Sequence, residues 1–141
     1  MTTFIFGSSA IALYLLGWVA YVLELTNRVR LKTSVIQLFT GLAIILHGFA
    51  SFGLLLHDGG LDLSLLNILS LLALVINSLV FLSGLREPIH SLYLALLPIS
   101  VVTLIFALIS SSTKSTAVIP YSLQAHILTS IIAYSFLAIA A

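Results

Sequence analysis

The sequence predicts an all-α, polytopic transmembrane helical bundle, and three observations carry that prediction. Hydrophobic residues make up 61 % of the 141-residue chain and charged residues only 6 %, a balance that no soluble globule sustains. Five apolar runs are each long enough to cross a bilayer, since about 20 helical residues rise roughly 30 Å. Almost every charge and most turn formers fall in the short segments between those runs.

The runs are Phe4–Leu25, Ser34–Leu56, Leu63–Leu85, Ile89–Ser110 and Ser122–Ala141. The first begins in MTTFIFGSSA, which has no Lys or Arg, and its length suits a retained helix rather than a cleaved signal peptide. The second carries His47 deep inside it and ends at HDGG. The third holds Asn67 and Asn77, and the fourth holds Pro98, which is expected to kink it. The fifth reaches Ala141 with no flanking polar anchor, so the chain is expected to stop inside or just at the end of a helix. The linkers NRVRLK, HDGG, REP and SSTKSTAVIPY are short. Neighbouring helices should therefore run antiparallel, as one integral-membrane domain over residues 1–141.

Charge placement gives an orientation. Arg28, Arg30 and Lys32 cluster in the first linker and Arg86 lies in the third. The second linker region has only His57, Asp58 and Asp62, and the fourth has Lys114 alone. By the positive-inside rule the first and third linkers are cytoplasmic and the N-terminus lies outside.

Several function classes drop out early. There are no cysteines, which excludes disulfides, thiolate metal sites and iron–sulfur clusters. A net charge of +1 without a basic run offers nothing to nucleic acid. No HExxH, GxSxG or paired buried carboxylates are present, so hydrolytic chemistry has little support.

Helical periodicity places the scarce polar residues on one stripe per helix. In the first run Gly7, Ala10, Tyr14, Gly17, Tyr21 and Glu24 follow a heptad-like line. The second has Gln37, Thr40, Gly41, Ile44, His47, Gly48 and Ser51; the third has Asn67, Ser70, Asn77, Ser78 and Gly84. In the fifth they are His126, Thr129, Ser130, Ala133 and Ala140, with Tyr134 at the edge. Small and hydroxylated stripes are how helices in lipid approach and bond one another, so packing seams account for most of them. Glu24 and Arg28, four apart, read as a solvated intrahelical pair.

The four histidines sort by depth. His57 and His90 lie at helix mouths, where a solvated imidazole needs no explanation; His57 with Asp58 and Asp62 offers only a sparse donor set for a metal. His47 lies roughly 14 Å below the outer end of its helix, and His126 roughly 6 Å below the same surface. An imidazole as deep as His47 needs either a hydrogen-bond partner or a ligand, and both readings stand. Haem iron leads the ligand candidates, because neutral histidine is a standard axial ligand and porphyrin is large and apolar; a proton path comes second. The difference in depth, about 8 Å, argues against His47 and His126 sharing one haem.

These residues also carry a family resemblance. AIILHGFA from Ala43, LDLSLLNILSLLALV from Leu61, and SLQAHILTSIIAYSFLAIAA from Ser122 resemble the cytochrome c assembly superfamily of the CcsA/CcmC/HemX type, nearest in pattern to its bacterial inner-membrane YpjD branch. The resemblance implies a multi-pass protein of the bacterial inner membrane with about eight spans, of which this chain is the N-terminal portion. It implies haem binding or handling during cytochrome c biogenesis, alongside other cytochrome c assembly proteins. His47 matches an intramembrane haem-iron ligand and His126 an outer-side one. The tryptophan-rich outer motif of the better-known haem carriers is missing, Trp18 being the only tryptophan. The alternatives are a haem-b-bearing anchor subunit of an oxidoreductase, which would need paired histidines at matched depths, and a transporter or scaffold without cofactor.

Overall fold

In hydrocarbon every backbone N–H and C=O must be satisfied within the protein, and runs of Leu, Ile, Val and Ala achieve this as helices. A computed structural model describes residues 1–26, 33–57, 60–86, 90–110 and 120–140. They form α1 (Thr2–Leu25), α2 (Thr33–Leu55), α3 (Leu65–Gly84), α4 (Tyr93–Ser110) and α5 (Tyr121–Ala140). A two-residue antiparallel ladder, β1 (Leu56–His57) with β2 (Gly60–Leu61), closes the turn between α2 and α3. The helices α1 to α4 are long and apolar enough to cross a bilayer, which is compatible with a multi-pass membrane protein. The fourth helix starts at Tyr93, later than the predicted Ile89, because His90–Leu92 winds as a 3-10 turn.

Four helices make a ring. α1 packs against α2 and α4, and α3 packs against the same two from the opposite side, so α2 and α4 touch only slightly across the diagonal. α5 lies outside the ring, against α3. Without a hydrophobic drive between helices in lipid, close approach and interhelical bonds must hold such a ring. The buried line of α1 is Gly7, Ala10, Tyr14, Gly17 and Ala20, which lets neighbouring helices come close. A Cβ on Gly7 would lie only 2.7 Å from a Leu108 methyl, and one on Gly53 would run into Thr3.

Two local devices seat the elements. The Asp62 carboxylate accepts the Ser64 N–H at 3.1 Å and so shapes the turn into α3. Asn67 then donates to the Asp62 carbonyl at 3.2 Å and reaches the Leu54 carbonyl at 3.5 Å, tying the end of α2 to the start of α3. In α4, Pro98 has no N–H to give the Leu94 carbonyl. Trp18 of α1 supplies the missing donor, its Nε1–H reaching that carbonyl at 3.0 Å.

The predicted stripes fare differently. That of α3 is buried at Asn67, Ser70, Asn77 and Gly84, with Ser78 at its margin. On α2, Thr40, His47 and Ser51 are buried, but Gln37, Gly41, Ile44 and Gly48 are only partly so. The face turns instead toward Ile36, Ala43, Ala50 and Leu54, because two neighbours, α1 and α3, share it. The α5 stripe points the wrong way. Ile131 and Ser135 are buried, whereas His126, Thr129, Ala133, Tyr134 and Ala140 are exposed and Ser130 is half-buried. α5 meets only α3 to any extent, so one narrow seam suffices and its hydroxyls bond their own helix, Thr129 to the Ala125 carbonyl at 2.8 Å.

Residues 27–32, Asp58 and Lys114 lie outside the described residues, as do the side chains of His57 and His90. The Glu24–Arg28 pair and the charge asymmetry that orients the chain therefore rest on sequence.

Candidate functional site

The most polar point of the ring interior is built from three helices. α2 turns His47 fully inward, at 0 % exposure, about 12 Å from the helix end at Leu55. Tyr14 of α1 sits in the small-residue line between Ala10 and Gly17, where only a side chain reaching along the seam can fit. Its hydroxyl lies 3.2 Å from His47 Nδ1, and the two rings meet edge to face with centroids 5.8 Å apart. Ser70 of α3 completes the triad, its Oγ lying 3.0 Å from His47 Nε2.

Both ring nitrogens are thus engaged, and two arrangements satisfy them. Either the Tyr14 hydroxyl donates to Nδ1 while Nε2–H donates to Ser70, or Nδ1–H donates to the Tyr14 oxygen while Ser70 donates to Nε2. Each arrangement satisfies both imidazole nitrogens. The unit clasps α1, α2 and α3 together at one level, the use lipid-embedded helices make of buried polar side chains.

A second polar level lies two turns away toward the other end of the ring. Asn77 of α3 donates from Nδ2 to its own Ala73 carbonyl at 3.0 Å and to Ser100 Oγ of α4. Ser100 in turn donates its O–H to the Leu96 carbonyl at 3.0 Å. Thr40 of α2 is buried at 0 % exposure, with its hydroxyl directed at α1, 3.4 Å from where a Cβ on Gly17 would stand.

The two candidate haem ligands are not brought together. His47 is inside the ring, while His126 is exposed on α5, away from the Ile131 and Ser135 seam that meets α3. As placed, His47 fits a haem poorly: neither nitrogen is free, and iron would have to displace Tyr14 or Ser70. The open groove of about 430 Å³ between α2 and α3, lined by Gln37, Gly41, Ile45 and Phe81, does not include His47. His126 fits better. It is an accessible imidazole with no hydrogen-bond partner among the described residues, on a helix face that also exposes Leu123, Thr129 and Ala133. Among the described residues no cluster of three or more potential metal-ligating side chains exists. One oxygen of the Asp62 carboxylate, a donor considered for a metal with His57 and Asp58, accepts the Ser64 N–H.

Sequence reasoning had Tyr14 and Ser70 on the right faces but not as partners of His47, and did not single out Ser100. A signal existed for Tyr14, the one bulky residue in an otherwise small buried line. Comparison with known proteins adds nothing to this geometry: no family model matches the chain, and no curated protein or solved structure matches it.

Proposed function

We propose that this chain is a multi-pass protein of the bacterial inner membrane, N-terminus outside, that handles haem for cytochrome c assembly without being an enzyme. The reading rests on the resemblance of the segments from Ala43, Leu61 and Ser122, and one observation supports it. His126 offers an exposed imidazole on the outer helix, one turn from the exposed Leu123. Haem, were it held there by His126, would supply an iron centre for redox or ligand chemistry. The chain itself would contribute the imidazole of His126 and apolar contact from Leu123, one turn away on α5. His47 in this reading keeps α1, α2 and α3 in register. The closed His47 triad equally favours a cofactor-free scaffold as the second reading, since it satisfies the histidine without any ligand.

Haem titration of the purified chain in detergent, followed by the Soret band, tests the proposal. Wild type and His47→Gln should both give the shifted band of an imidazole-bound haem, and His126→Ala should lose it. A band that persists in His126→Ala and vanishes in folded, monodisperse His47→Gln moves the site to His47. No band in the wild type leaves the scaffold.

A further inference from the structure

We propose that the ring interior binds a buried water between Thr40 and Asn77, joining α2 to α3 and α4 where no direct bond does so. The register comes from the His47–Ser70 bond. Stepping seven residues along both antiparallel helices leads from His47 to Thr40 and from Ser70 to Asn77. Seven residues are two turns to within about 20° of rotation, so the new pair faces inward at one level, about 10 Å from the first. The helices remain packed there: Gln37 Nε2 donates to the Gly84 carbonyl at 3.4 Å, and a Cβ on Gly41 would lie 3.1 Å from the Phe81 ring. Ser100 brings α4 to the same level through Asn77, and Gly17 brings α1 through Thr40.

Two oxygens at this level have no hydrogen-bond partner among the described residues, Thr40 Oγ1 and Asn77 Oδ1, on side chains that are both 0 % exposed. Ser78, Ser100, Thr129 and Ser135 each donate their O–H to a carbonyl of their own helix, at 2.8, 3.0, 2.8 and 2.7 Å. The buried hydroxyls of Thr40 and Ser51 on α2, by contrast, have no partner among the described residues. That of Thr40 faces the Gly17 side. A carbonyl acceptor and a hydroxyl at one level are what a water needs, donating to Asn77 Oδ1 and exchanging a bond with Thr40 Oγ1. A cation suits the place less well, because no carboxylate stands among these four residues to offset its desolvation.

Thr40→Val in the full chain, unfolded by heat in detergent or nanodiscs, decides the matter by sign. Valine keeps the shape and removes the hydroxyl. If the oxygen is an orphan, the substitution relieves it and the midpoint rises; if a water bridges it, the midpoint falls, by about 2–6 °C. A fall is expected, with Thr40→Ser retaining more of the wild-type midpoint than Thr40→Val. A midpoint at or above wild type overturns the proposal. Should Thr40→Val not fold, water-edited solid-state NMR of the wild type in bilayers decides instead: magnetisation should pass from water to Thr40 and Asn77 faster than to Ala43 and Leu97. Equal, slow transfer to all four overturns it. Neither outcome bears on haem binding at His126.

Discussion

His47 and His126 are the same side chain in opposite surroundings. One is enclosed by three helices with a partner on each nitrogen; the other stands on the outer helix with no hydrogen-bond partner among the described residues. In a bilayer a deep imidazole is usually read as functional because it is costly. Here the cost at His47 is met by Tyr14 and Ser70, so depth marks the group that is satisfied and shallowness the one that is available. Burial alone does not distinguish a ligand from a clasp; the state of the two nitrogens does.

The contrast breaks most readily at His47 itself. His47→Ala should destabilise the folded chain by about 2–4 kcal/mol, since it leaves two buried hydroxyls unpaired and a cavity between three helices. Reversible unfolding in mixed micelles measures it, and a loss below 0.5 kcal/mol would mean the triad holds nothing together. Tyr14→Phe should cost less, about 0.5–1.5 kcal/mol, because the ring still fills the seam and only one hydrogen bond goes. If Tyr14→Phe matched His47→Ala, the hydroxyl rather than the imidazole would be the centre of the clasp. His126→Ala should change stability by less than about 0.5 kcal/mol in the absence of haem, as an exposed substitution does. A larger effect would show that α5 leans on His126 and would remove the difference between the two histidines.

Much of this was legible in the chain. The apolar runs marked five helices, with ends displaced by at most four residues and the largest shift at the 3-10 turn before α4. The inward faces of α1 and α3 were also readable, because Gly7, Ala10 and Gly17, or Asn67, Ser70 and Asn77, leave no doubt about which side must be covered. The face of α5 was not. Its hydroxyls are equally content against another helix or bonded to their own backbone, and periodicity does not distinguish the two.

What the sequence determined by itself is therefore the number of helices, their approximate ends and the inward stripes of α1 and α3, all properties of a single segment in an apolar solvent. The tertiary structure alone decided that Tyr14 and Ser70 take the two nitrogens of His47, that Trp18 serves the carbonyl Pro98 leaves orphaned, and that Thr40 and Asn77 share a level. The physical reason is that periodicity runs within one helix, whereas register and rotation between helices are set by how small residues let backbones approach. A shift of one residue turns a helical side chain by 100°, enough to carry His47 from the ring interior toward lipid.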